Sequence, residues 1–250
     1  MNKKTNRLYH DLAWLWPMWG DVTGEYADFC EHTLKLIKKY SKRDIHTLLN
    51  MGCGGGKNAF NLKKYAEVTG IDISPAMLDQ AKKLNPDCTF LQEDMRYFSL
   101  GKEFDAVLVD DGISYITTGP DLYSVFKKAY EHLAGGGVMV VGPDTTKDTF
   151  NQNATHVSYA EPGQKPENIE VVYIENIYDP DPADDSYEAA MVYLIRENGK
   201  LRVEQDLHIL GLFSLAQWEK SLDKAGFEIH KERYVEGHYE YVQFFCLKPE

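Results

Sequence analysis

Leu48-Leu49-Asn50-Met51-Gly52-Cys53-Gly54-Gly55-Gly56, followed by Gly70-Ile71-Asp72-Ile73, is the stretch that decides the fold. An apolar run enters a glycine cluster, a helix-like segment follows, and a second apolar run ends on an acid. That order builds the nucleotide-binding half of a doubly wound sheet. The glycines let the backbone pass close to a ligand with no Cβ in the way. The helix behind them offers unpaired N–H groups to an anionic group. Asp72 stands 20 residues beyond Gly52, where a carboxylate accepts both hydroxyls of a ribose. The pattern predicts an adenosine-type cofactor at the carboxyl ends of parallel strands.

Glycine spacing separates the cofactors. A dinucleotide fingerprint, G-x-G-x-x-G, would place its third glycine at position 57, which is Lys57. An NAD oxidoreductase is disfavoured on that ground. The chain instead reads G-x-G-x-G through Gly52, Gly54 and Gly56. This resembles the first motif of class I S-adenosylmethionine-dependent methyltransferases. The resemblance continues in order. Gly70 to Ser74 is similar to the second-strand acid motif, and Gln92-Glu93-Asp94-Met95 to the adenine-contacting loop. Phe104-Asp105-Ala106-Val107-Leu108-Val109-Asp110 resembles strand four, and Leu133-Ala134-Gly135-Gly136-Gly137-Val138-Met139-Val140 the turn into strand five. Over most of its length the chain resembles small-molecule methyltransferases of the Methyltransf_25 type, among them N,N-dimethyltransferases of nucleotide-linked amino sugars. It departs from them twice. Asn50 replaces an acid that holds the ammonium of the methionine part, and Ile113-Ser114-Tyr115-Ile116 stands where a histidine is common.

The resemblance implies S-adenosyl-L-methionine as cofactor. It implies an α/β fold, a Rossmann-like doubly wound seven-stranded sheet with an N-terminal helical segment and an antiparallel β insertion after strand five. The implied cofactor side comprises Tyr9, Gly52, Cys53, Gly54, Gly56, Asp72, Ile73, Met77, Asp94, Met95 and Asp110. Asp72 would take the ribose, Asp94 and Met95 the adenine edge. Ile73 and Met77 flank the adenine or belong to the core.

Methyl transfer from a sulfonium is an in-line displacement, so the protein mainly aligns nucleophile, methyl carbon and sulfur. An amine must be neutral and a hydroxyl partly deprotonated, which a carboxylate, Tyr or His provides. Asp110, Tyr115 and His208 are the candidates. Asp110 closes strand four beside Asp111, and Tyr115 orients the acceptor or walls the pocket. Strand alternation sets Asp206, His208 and Leu210 on one face, making His208 a general base or a plain polar-face residue. No further metal-ligand pattern accompanies the two acids, so no metal is expected.

Hydrophobic content of 43% fills a core, while a net charge of −12 disfavours a grip on nucleic-acid or membrane phosphates. Cys30, Cys53, Cys88 and Cys246 form no C-x-x-C pair and read as reduced thiols of a cytoplasmic protein. No run approaches the ~18 apolar residues of a membrane span. The expected partner is a small-molecule methyl acceptor, with no nucleic acid and no membrane, for a monomer or homodimer. RNA or protein methylation, or cofactor binding without catalysis, are the alternatives.

One domain over 1–250 is expected. It divides into an N-terminal helical lid at 1–44, a cofactor-binding half at 45–143, a linker with the antiparallel insertion at 144–213, and the last helix with two strands at 214–250. The aromatics Tyr9, Trp14, Trp16 and Trp19 mark the lid or simple packing. Gly135-Gly136-Gly137 is expected to stop a helix before strand five. Residues 144–168, broken by Pro162, Gly163 and Pro166, read as a mobile excursion in which His156 and Tyr159 join a lid.

Overall fold

The computed structural model describes residues 6–109, 111–236 and 239–250. Two short 3-10 helices, Arg7–Tyr9 and Ala13–Met18, precede α1 (Glu25–Tyr40). The alternating half follows: β1 (Thr47–Met51), α2 (Lys57–Leu62), β2 (Glu67–Asp72), α3 (Pro75–Leu84), β3 (Thr89–Gln92), β4 (Phe104–Val109), α4 (Gly119–His132) and β5 (Leu133–Val141). Then come β6 (Thr155–Tyr159), β7 (Ile169–Tyr178), β8 (Ser186–Glu197), β9 (Lys200–Gly211), α5 (Leu215–Ala225), β10 (Glu228–Glu236) and β11 (Tyr239–Leu247).

The strands form two sheets, one seven-stranded in the order β10-β11-β5-β4-β1-β2-β3 and one four-stranded in the order β6-β7-β8-β9. β3, β2, β1, β4 and β5 are parallel, and β11 runs antiparallel to β5. Strands covered on both faces read as continuous apolar runs, and every residue of β4 is buried. Leu49, Met51, Val107 and Val109 pack against α4 and α5, whereas Leu48, Ala106 and Leu108 pack against α1, α2 and α3. Strand order reverses between β1 and β4, which opens a crevice at their carboxyl ends. The expected doubly wound sheet with an antiparallel insertion is therefore the fold.

Side-chain caps fix where the helices start. Ser74 accepts from the Met77 amide with Pro75 in the first turn of α3, and Ser214 with Gln217 closes a capping box on α5. The inserted sheet buries its inner face, including Tyr173, Met191 and Tyr193, against Leu8, Leu12, Leu15 and Met18 of the N-terminal segment. Among the described residues no helix is long and apolar enough to cross a membrane.

Two expectations are corrected. Residues 144–168 are not structureless, because 155–159 pair with β7 as an edge strand. The glycines at 135–137 do not stop α4, which ends at His132. They lie inside β5, where the β4 pairing shifts register between Phe104 and Ala106. A Cβ on Gly137 would meet the Asp105 carbonyl oxygen at 2.6 Å, so glycine is what lets the irregular strand close on its neighbour.

Candidate active site

The turn after β1 has Gly52, Gly54 and Gly56 at φ of 71°, 49° and 83°, a left-handed region that side chains disfavour. The Gly52 and Cys53 amides both donate to the Ile71 carbonyl, tying the turn to β2. The Gly54 amide donates to one oxygen of Asp72 at 2.9 Å, and the Ser74 amide to the other at 2.8 Å. Burial raises the Asp72 carboxyl above its ordinary range, and these amides partly offset it. Glycine turn and acid are thus one hydrogen-bonded unit.

A cavity of about 340 Å³ opens over this unit, lined by Gly52, Cys53, Gly54, Asp72, Ile73, Asp94, Met95 and Tyr9 among others. Gly56 and Met77 do not line it. A Cβ on Gly56 would meet the Asn85 amide at 2.7 Å and Ala81 at 3.0 Å, so this glycine lets α2 pack on α3. Met77 is fully buried. The Asp94 carboxylate is forked by Arg96 at 2.6 Å, which holds it below the usual carboxylate range, and Arg96 also reaches Asp121. Asn50 is fully buried, has no partner for either side-chain polar atom among the described residues, and lines neither this cavity nor the larger one described below. Asp110 lies outside the described residues. The donor set fits an adenosine. One carboxylate has both oxygens oriented, Ile73 and Met95 give apolar flanks, and the volume suits a small ligand.

The N-terminal segment closes over the glycine turn. A Cβ on Gly55 would sit 2.2 Å from the Trp16 ring. Lys57 donates to the carbonyls of Trp19 and, at 3.0 Å, Gly20, and lies 4.5 Å over the Trp16 ring. Ser74 donates to the Tyr9 carbonyl at 2.6 Å, and the Leu8 amide donates to Asp206 at 2.9 Å.

A second cavity, about 830 Å³, lies between the carboxyl ends of β4 and β5 and the inner face of the inserted sheet. Tyr9, Trp16, Tyr26, Asn58, Asp111 and Tyr115 border both cavities. On that shared wall the Tyr9 and Tyr115 hydroxyls are 3.0 Å apart. The Tyr115 hydroxyl is 2.6 Å from Nδ1 of His208, whose Nε2 is 2.8 Å from Asp206. Burial raises both tyrosine hydroxyls. For Asp206, burial is outweighed by the His208 bond and the Arg7 and Leu8 amides, leaving the carboxyl below its ordinary range.

Tyr115 and His208, chosen from sequence as separate candidates, are therefore in contact, and Asp206 completes the row. Sequence reasoning missed Arg96, the bonds of Lys57 to the N-terminal segment, and Glu175. Glu175 left a signal, as an acid on the face of β7 that otherwise carries Val171, Tyr173 and Ile177. Among the described residues no group of three or more His, Cys, Asp or Glu is placed to hold a metal ion.

Residues 48–137 match the Methyltransf_25 family model, a methyltransferase domain. The chain is 27% identical over 217 residues, 85% of its length and 86% of the relative's, to the dTDP-3-amino-3,4,6-trideoxy-alpha-D-glucopyranose N,N-dimethyltransferase of Streptomyces venezuelae. It is 31% identical to the trans-aconitate 2-methyltransferase of an Enterobacter species over 129 residues, half of each chain. Among solved structures, Streptomyces venezuelae DesVI superposes with a TM-score of 0.80 at 25% identity, covering 97% of both chains. The S-adenosylmethionine-bound CalS10 of Micromonospora echinaspora, an amino pentose methyltransferase, shares the fold with a TM-score of 0.78 at 21% identity, over 94% of this chain and 95% of that one. Fold, cradle and relatives make this chain a class I S-adenosylmethionine-dependent methyltransferase. Residues 48–137 carry its Methyltransf_25 domain, and over most of its length the chain is similar to an amino-sugar N,N-dimethyltransferase.

Proposed function

We propose that this enzyme transfers a methyl group by in-line displacement to a nitrogen of a small-molecule acceptor seated in the larger cavity. The observation that carries the reading is the hydrogen-bonded row that starts from Tyr9 and Tyr115 on the wall both cavities share and runs behind it through His208 to Asp206. Asp72 and the glycine turn hold the adenosine end of the cofactor, with Ile73 and Met95 beside the adenine. When bound, S-adenosylmethionine supplies a sulfonium methyl whose C–S electron pair stays on sulfur as the new N–C bond forms.

An acceptor amine arrives protonated and must lose one proton before its lone pair can attack. With Asp206 ionised, Nε2 of His208 keeps its hydrogen and Nδ1 offers its lone pair to Tyr115. A proton passed from the acceptor to Tyr115 moves on to Nδ1. The imidazolium then donates to both neighbours, and the Tyr115 hydrogen turns toward Tyr9. Tyr115 touches the acceptor, while His208, 3% exposed and lining neither cavity, acts through it as a positioning and relay residue. Nitrogen is favoured over oxygen because the relative matching most of the chain is named for methylating an amino group.

His208→Gln and Tyr115→Phe are expected to lower kcat about 100-fold and to change its pH profile, with cofactor affinity by calorimetry unaltered. Wild-type kcat and profile in both would remove the relay. Radiolabelled methyl transfer into a cell extract tests the acceptor. Label in acid-precipitable material would point to RNA or protein, and label only in ethers or esters would overturn nitrogen as the target.

A further inference from the structure

Building on an amine as the acceptor, we propose that the acceptor is a free cationic amine carrying no phosphate, and that Glu175 on the inserted sheet determines this specificity. The site is the 830 Å³ cavity bordering the cofactor's own, and the charges on its wall say what it admits. Five carboxylates line it, from Glu25, Asp111, Asp144, Glu161 and Glu175, and the described lining residues include no lysine or arginine. Phosphate recognition rests on arginine forks, lysines or helix N-termini, and a phosphorylated ligand here would meet like charge at short range. Nearby cations outside the wall are already engaged, Lys57 with the Trp19 and Gly20 carbonyls and facing Glu25 and Glu161, Lys165 with Glu170 at 2.7 Å and Lys147 with Asp185 at 2.8 Å. The relative named for a dTDP-linked sugar must accommodate a diphosphate, so divergence at this wall is where the two chains would part in substrate.

Glu175 is singled out by its setting. It sits mid-strand in β7, opposite His156 of β6 and Met191 of β8, on the face turned to the cavity. Its carboxyl makes no hydrogen bond with another described residue, unlike Asp206 two strands further on. Burial raises it above the ordinary carboxylate range, with His156 and His208 pulling it back. An ammonium alongside would restore the ionised form and supply the missing partner. Trp19 and Tyr187 also line the cavity, aromatic surroundings that suit a cation.

The full chain is incubated with radiolabelled S-adenosylmethionine and a small-molecule cell extract, and products, told apart from the donor by mass, are separated on cation and anion exchangers near pH 7. Label retained by the cation exchanger alone is the expected result. N-linked label on the anion exchanger would overturn the phosphate-free acceptor while leaving N-methylation standing. No N-linked label in any fraction would count against N-methylation itself. With the labelled amine as substrate, Glu175→Gln should raise KM about tenfold or more, keep kcat within about twofold and leave cofactor affinity unchanged, and Glu175→Asp should recover part of the loss. An unaltered KM in Glu175→Gln would remove Glu175 from the specificity.

Discussion

Asp72 accepts from Gly54 on one oxygen and from Ser74 on the other, so its carboxylate is oriented before any ligand arrives. Orientation in advance lowers what binding must cost. Each ribose hydroxyl donating to a charged acceptor contributes about 1.5–3 kcal/mol. Asp72→Ala should therefore weaken S-adenosylmethionine binding by about 100-fold or more in calorimetry, with the variant still folded by circular dichroism. Unchanged affinity would mean that the ribose lies elsewhere. Asp72 was legible in the sequence because one strand, turn and helix fix its distance from Gly52. The partnership of Tyr115 with His208 was not, since 93 positions separate them and only the insertion's return over the crevice brings them to 2.6 Å. Pattern alone put His208 on the face shared with Asp206, but what faced that pair from the other side of the crevice is a tertiary fact.

At the level of elements, the packing of the N-terminal segment depends on a glycine that is not there for its backbone. Gly55 has no positive φ, yet its missing Cβ is the space the Trp16 ring occupies. Gly55→Ala should displace Trp16 and destabilise the protein by about 1–3 kcal/mol, the usual cost of overpacking. It should also raise KM for the cofactor. Gly119→Ala, with nothing within 4 Å of the new Cβ, is the control expected to be silent. In a Trp16→Ala background the Gly55→Ala penalty should largely vanish, and thermal unfolding of the four proteins closes that cycle. Additive penalties would mean that the two residues are uncoupled. Elements with a buried face were legible because burial imposes a period. β6 was not, because its five residues are exposed or half-exposed and its pairing is carried by backbone bonds to β7. The β5 glycines misled for the opposite reason, as their close approach to β4 imitates a helix stop.

Across the whole molecule, the doubly wound sheet and the inserted sheet keep separate apolar interiors, the second completed by the N-terminal segment. Polar links hold one against the other, and Lys57, at 3% exposure, is among the most buried of them. It joins the first turn of α2 to the carbonyls of Trp19 and Gly20 in the N-terminal segment. Burial pushes its ammonium down from 10.5 to about 8, with Glu25, Glu161 and Asp21 offsetting part of the drop. Between those values the unfolded chain binds more protons at this site than the folded chain. The destabilisation from burying the charge is thus fully present below about pH 8 and is relieved as pH rises toward 10.5. Lys57→Met removes the titration, so the difference in unfolding free energy between wild type and variant should move in favour of the wild type from pH 7.5 to 9.5 in urea melts. A difference independent of pH would show that Lys57 keeps its charge throughout, its carbonyl and ring partners fully replacing the lost water.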